Sequence, residues 1–390
     1  MSNRINALGI GRSSARQTAV EPHSSVRWGL SRQWEVLELA DGSVFLDDIF
    51  GQHKTLADPK PQVKSLLSLL ARADHSFDEL ADALELEFRQ TVSREGLVVA
   101  LGIFAREGVI VPRDRQGWPR WASESYATRF APQLDWFSSL DSVVGDGWDE
   151  MKRLRDARVT VVGGGGVGSL LAFSLAAAGV GMLRIVDGDV VEASNLTRQI
   201  FYDQHDVEGS RSKAHALAAR LRAFSPHTEV QVIDRHLSTP EAVSEAVEGS
   251  SFVALCADAP RFLLNRWIDD ACLMTSTPYL ASFVGTVGPM FVPGVSPCFR
   301  CTEEEGREML GEQYDQVVDA LAAKASWSYP AFIGGPLAIA YFTSTEIVLQ
   351  LTQAANPATV GARIQIAYPA SWVEPVKRRE SCRCGNVSIE

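Results

Sequence analysis

The segment Val161-Val-Gly-Gly-Gly-Gly-Val-Gly168 limits the fold of this chain more than any other. It follows the apolar run Val159–Val162 and leads into the small-residue stretch Ser169–Ala178, so it predicts a strand, a tight turn and a helix. Gly163, Gly165 and Gly168 stand at G-x-G-x-x-G spacing, with Gly166 inside the same turn. Residues without a Cβ let backbone N–H groups reach phosphate oxygens at the positive end of a helix.

The pattern continues as alternating strands and helices. Leu183–Val186 reads as a strand, and Lys213–Phe224 as a helix with Ala214, Leu217, Ala218, Leu221 and Phe224 on one face. Val230–Ile233 and Phe252–Cys256 read as further strands. A β-α-β-α-β order predicts an α/β fold, a Rossmann-like doubly wound and mostly parallel sheet. Its ligand crevice lies beyond the carboxyl ends of the strands. Asp187 ends the second strand, 19 residues after Gly168, where an acid can take ribose hydroxyls. Asn195, Arg198 and Gln199 follow, Lys213 begins the next helix, and Asp258 follows the apolar run 252–257. A nicotinamide site needs one acid and little positive charge. Two cations and a second carboxylate suit a triphosphate with Mg²⁺.

The segments from Gly163 to Lys213, with Cys256-Ala-Asp258, resemble the ThiF/MoeB family, whose members adenylate the C-terminus of ubiquitin-like carriers. Asp258-Ala-Pro, Pro278-Tyr279 and Phe291-Val-Pro-Gly294 with Cys298-Phe-Arg-Cys301 are similar to the family's microcin-type, peptide-modifying branch. The resemblance covers roughly residues 125–390. It implies that Asp187 holds the ribose and that Asn195, Arg198, Gln199 and Lys213 contact the phosphates. Asp258 is then the Mg²⁺ ligand, and Gly163, Gly165, Gly166 and Gly168 are the loop. It also implies a homodimer, because a family arginine reaches the neighbouring subunit's ATP. Here that segment reads Arg129-Phe-Ala-Pro132-Gln133, with proline at the arginine's place, so Arg129 is the candidate for the contact.

All six cysteines lie beyond residue 250. Cys298-x-x-Cys301 and Cys382-x-Cys384 offer four thiolates, the number that closes a tetrahedral structural Zn²⁺ site. The family's second pair is C-x-x-C, so the tighter spacing here is a departure. Cys256 and Cys272 stand in apolar surroundings and read as core.

Residues 1–27 are polar and aperiodic and are expected to be a disordered tail. At about 28–113 an Asp41-Gly42 hairpin signal, a short strand at Lys54–Leu56 and helical patterns near 61–72, 77–85 and 92–107 predict a small winged-helix-like α+β domain. It resembles the leader-recognition element of enzymes that modify ribosomally made peptides. That resemblance implies strand addition of a precursor peptide at Lys54–Leu56 and against the third helix. Residues 114–150 carry seven large aromatics in irregular chain and read as a packed connector, leaving 151–390 as the adenylation domain. A formal charge of −11 argues against a nucleic-acid partner. No secretory h-region stands at the start, and the apolar stretch 331–351 is broken by Gly334, Gly335, Pro336 and Glu346, so no membrane association and a cytoplasmic location are expected.

Together these resemblances imply ATP- and Mg²⁺-dependent adenylation of a carboxyl group on a ribosomal precursor peptide. Two alternatives compete with it: activation of a ubiquitin-like sulfur carrier, and a non-catalytic partner that docks a peptide for another enzyme. A dehydrogenase would need a hydride-transfer acid or base, and none is recognisable.

Overall fold

The computed structural model describes residues 26–31, 33–48, 53–57, 59–113, 118–138, 140, 143, 146–323, 331–367, 370–380 and 382–386. The chain divides into two compact units, Met1–Met151 and Lys152–Glu390. The expected tail falls outside the described residues up to position 25, and Arg27 already begins a strand.

The first unit runs β1 (Arg27–Leu30), β2 (Trp34–Glu38), β3 (Val44–Asp48), β4 (His53–Leu56), α1 (Pro61–Arg72), β5 (His75–Ser76), α2 (Phe77–Phe88), α3 (Arg94–Arg106) and β6 (Ile110–Arg113). Its strands form two three-stranded sheets, ordered β5-β1-β6 and β2-β3-β4. The predicted hairpin joins β2 to β3. Gly42 takes a φ of 83°, and the Asp41 carboxylate accepts the Ser43 N–H at 2.9 Å, which fixes the turn. Ser76 and Glu79 form a reciprocal cap that starts α2, and Ser93 caps α3. Trp28, Trp34, Leu46, Phe77, Leu80 and Leu101 meet in one buried core.

The stretch read as an irregular connector is helical over α4 (Glu124–Ser138). Tyr126, Phe130, Leu134 and Phe137 recur every three or four residues on its buried side, so three of the seven aromatics form one face of a helix. Pro132 sits inside it. The helix α5 (Trp148–Asp156) then leads into the second unit.

The second unit continues with β7 (Arg158–Val162), α6 (Gly166–Ala177), β8 (Met182–Val186), α7 (Gln204–Glu208), α8 (Lys213–Phe224), β9 (Glu229–Ile233), α9 (Pro240–Val247), β10 (Phe252–Leu255) and α10 (Leu263–Met274). After these come β11 (Tyr279–Phe283), β12 (Thr286–Phe291), α11 (Phe299–Leu310), α12 (Gln313–Ala322), α13 (Gly334–Thr352), β13 (Ala362–Ile366) and β14 (Ser371–Pro375). One eight-stranded sheet has the order β14-β13-β12-β11-β10-β7-β8-β9. The pairs from β11 through to β9 are parallel, and those involving β12, β13 and β14 are antiparallel. β10 is buried along its whole length, as a central strand covered on both faces must be. From β7 the chain builds outward through β8 and β9, then returns to β7's other side with β10. The topological switch point therefore lies between β7 and β10. Among the described residues no helix is long and apolar enough to cross a membrane.

Candidate functional site

Parallel pairing sets the site. Val162 is level with Leu255 on one side and Val186 on the other, so the chain leaves three adjacent strands at one edge. Gly163, Asp187 and the loop carrying Asp258 start there. Gly163 has a φ of 98° and donates its N–H to Val186 O at 2.7 Å; a Cβ on it would lie 2.8 Å from Ala257 N. Gly165 caps α6 with its backbone, and Gly166 opens the helix. Gly168 crosses so close to the loop that a Cβ would sit 1.8 Å from Gly163 O. The helix thus begins against the strand end, its first N–H groups facing the crevice edge.

Asp187 ties the loop down. One carboxylate oxygen accepts the Gly164 N–H at 2.6 Å, and the other accepts the Asp189 N–H at 2.8 Å. Burial pushes its pKa upward, and the Lys213 charge opposes that shift. Lys213 is 7% exposed, and its ammonium donates to Asp189 at 2.8 Å. A buried cation needs a partner, and Asp189, two residues beyond the predicted acid, supplies it.

Asn195 is buried in a short 3₁₀ turn, where its side-chain oxygen accepts the Glu192 N–H at 3.1 Å. Gln199 is 3% exposed, and its Oε1 has no hydrogen-bond partner among the described residues. Its Nε2 lies 3.9 Å from where a Gly165 Cβ would stand. An orphaned buried acceptor beside the glycine loop is the kind of group a bound ligand or its water satisfies. Arg198 is half-exposed and donates to Ser194 O at 3.2 Å. Asp258 is exposed; the strand before it ends at Leu255, two residues earlier than the apolar run suggested, which leaves its carboxylate in the loop. Arg129 belongs to the first unit, on α4, with its guanidinium 5.8 Å from the Phe130 ring.

Three contributors escaped the sequence reading. Asp189 had a signal, the second acid of Asp187-Gly-Asp189. Tyr202, whose hydroxyl donates to Gly164 O at 2.7 Å, had none. Pro336, at the start of α13, lies 3.1 Å from the place of a Gly166 Cβ and backs the loop from a segment 170 residues away.

The second cluster is made of sulfur. Cys298, Cys301, Cys382 and Cys384 place all four Sγ atoms within 4.8 Å of one another. Cys298 and Cys382 are 3.5 Å apart, and Cys301 and Cys384 are 3.7 Å apart. A tetrahedral Zn²⁺ with Zn–S near 2.3 Å needs S···S spacings of about 3.8 Å, so the quartet fits that ion. Hydrogen bonding from the Cys298 thiol pulls the pKa of Cys301 downward, the direction that favours a thiolate. The Cys-x-Cys spacing is accommodated because Arg383–Asn386 forms a 3₁₀ turn. Cys272 is fully buried core, and burial pushes Cys256 up to about 12, which leaves neither as a reactive thiolate.

The profile of the ThiF family matches residues 140–385, well over half of the chain. The chain belongs to the ThiF family. It is 35% identical over 153 residues to the sulfur carrier protein ThiS adenylyltransferase of Bacillus subtilis, covering 38% of this chain and 45% of that protein. The corresponding Escherichia coli protein is 34% identical over 173 residues, covering 43% of this chain and 66% of that one. The chain therefore spans between about half and two thirds of these relatives. In overall fold it is similar to E. coli MccB solved with MccA-N7isoASN, at a TM-score of 0.71 and 17% identity, covering 92% of this chain and 99% of MccB. It is similar also to PaaA, at a TM-score of 0.68 and 21% identity, covering 88% and 99%. The fold likeness to MccB takes in the alternation of strands and helices and, because it covers 92% of this chain, the small β-rich front part as well.

Proposed function

We propose that this ThiF-family chain is an ATP-dependent adenylyltransferase that activates a carboxyl group on a ribosomally made precursor peptide as its acyl-adenylate. The observation that carries the nucleotide half is the convergence at the carboxyl ends of β7 and β8, beside the switch point. A glycine loop, the ribose acid Asp187, the buried cation Lys213 and the orphaned Gln199 acceptor meet where the strands end. The peptide carboxylate attacks the α-phosphorus, a new O–P bond forms, and the bond to pyrophosphate breaks. Lys213 and Arg198 then offset charge on the phosphates, with Lys213 leaving Asp189 to do so. Asp258 is the residue offered to Mg²⁺, which supplies positive charge to the triphosphate when bound. No side-chain nucleophile takes part.

Support for a peptide substrate comes from the first unit and from MccB, which has been solved both with MccA-N7isoASN and with ATP and is similar in fold over nine-tenths of this chain. β4 is an edge strand, and α3 exposes Val99 and Ile103 one turn apart. An open strand edge and an apolar helix stripe are what an added peptide strand uses. We further propose a homodimer in which Arg129 serves the partner's nucleotide, and a structural Zn²⁺ on the four cysteines. The sulfur-carrier reading is favoured by the identity to ThiS adenylyltransferases. Pyrophosphate release measured with a leader-bearing peptide and with a folded carrier separates the two. The peptide should stimulate it, and Val99→Asp with Ile103→Asp should raise the peptide KM at least tenfold while leaving the ATP KM unchanged. Stimulation by the carrier alone would overturn the peptide assignment.

A further inference from the structure

Tyr202 lies three residues beyond Gln199 and is 5% exposed. Its hydroxyl donates to Gly164 O at 2.7 Å and approaches Lys213 O at 3.3 Å. Burial next to Asp187 holds the phenol far above its ordinary pKa, so it stays a donor. Following the bonds outward gives a closed circuit. Gly164 donates its N–H to Asp187. Asp187 accepts the N–H of Asp189, and the Asp189 carbonyl accepts the Lys213 N–H at 2.9 Å. Tyr202 closes the ring between Lys213 and Gly164. The glycine loop and the first turn of α8 are separate stretches of chain, 49 residues apart, and this hydroxyl joins them directly. A Cβ on Gly164 would lie 3.2 Å from the phenolic oxygen and 3.4 Å from Asp187, so the loop rests against both groups.

We propose that Tyr202 is a positioning residue, whose hydroxyl sets the spacing between the glycine loop and the start of α8 and so between Asp187 and the Lys213 ammonium. The inference rests on the nucleotide reading of this site. A ribose acid and a phosphate cation act on one ligand only when their separation matches it, and the shared tie carries that separation from one backbone segment to the other.

Tyr202→Phe tests it, since the ring is kept and one hydroxyl is lost. The ATP KM and the dissociation constant of ATP should rise about five- to tenfold, the scale of one buried hydrogen bond. The KM for the peptide should stay at the wild-type value. Tyr314→Phe is the control, because it removes another buried phenol whose hydroxyl donates to Glu303 at 3.2 Å on neighbouring helices. That variant should match Tyr202→Phe in any loss of thermal stability and leave ATP affinity alone. Wild-type ATP affinity in Tyr202→Phe, or an equal loss of affinity in Tyr314→Phe, would overturn the proposal. Failure of the wild-type protein itself to bind ATP would instead remove the nucleotide reading on which it stands.

Discussion

Replacing Gly168 with alanine should damage both the fold and the site, whereas the same change at Gly165 should damage the site alone. At Gly168 the added Cβ would stand 1.8 Å from Gly163 O and 2.9 Å from Gly163 C. Contacts under 3.0 Å essentially never occur for a real Cβ, so at least 1.2 Å of movement is forced. The obstacle is backbone, and that backbone is anchored because Gly163 N donates to Val186 O at 2.7 Å. Overpacking costs about 1–3 kcal/mol, and a backbone obstacle places this case near the upper end. At about 2–4 °C per kcal/mol for a unit of this size, the melting temperature should fall by roughly 6–12 °C. ATP binding should be lost with it, because the loop moves away from Asp187. At Gly165 the nearest atom to a Cβ is Gln199 Nε2 at 3.9 Å, and φ is −72°, which any residue adopts. That variant should keep its melting temperature within about 2 °C yet lose at least tenfold in ATP affinity, because a methyl group would occupy the approach of the phosphates. Thermal unfolding and calorimetric titration with ATP and Mg²⁺ read both quantities. A Gly168→Ala protein with wild-type stability, or a Gly165→Ala protein with wild-type ATP affinity, would refute the reasoning.

Two further outcomes follow from other parts of the chain. Purified protein should carry close to one Zn²⁺, and Cys298→Ser should lose both metal and thermal stability, because coordination free energy is realised only in the folded state; elemental analysis that finds no zinc would retire the cluster. Arg363 and then Gln365 hold the Glu374 carboxyl down to about 2, from an ordinary value of 4.5. The stability this pair adds is present above pH 4.5 and lost as pH falls through about 2. Being partly exposed it is worth at most about 1 kcal/mol, so Glu374→Gln should cost that much at pH 7 and progressively less as pH falls from about 4.5 towards 2 in denaturant titrations.

What the sequence disclosed was set by local chemistry. The helix α8 begins at Lys213, where it was expected, because Ser212 caps it and accepts the His215 N–H. The hairpin at Asp41-Gly42 and the glycine turn after β7 were legible because each needs backbone freedom at a named residue. Strands β1 and β6 were not legible, since Arg27 pairs with Arg113 across most of the first unit and neither segment alternates on its own. The helical character of 124–138 was hidden because its aromatics suggested bulk before their spacing was weighed. At the site, the sequence named residues carried on the loops at the strand ends, and it did not name those that reach the glycine loop from elsewhere in the chain. Pro336 and Tyr202 reach the glycine loop only after the chain has folded.

Exchange of labelled pyrophosphate into ATP, measured with a leader-bearing precursor peptide, tests the central claim most directly. Formation of an acyl-adenylate is reversible, so label enters ATP only if the carboxylate has displaced pyrophosphate from the α-phosphorus. Exchange should depend on the peptide and on Mg²⁺. Lys213→Ala and Asp258→Ala should each reduce it at least a hundredfold, the effect of removing about 3 kcal/mol of transition-state stabilisation. Full exchange in both variants, or ATP cleavage by the wild type that releases no pyrophosphate, would contradict the account.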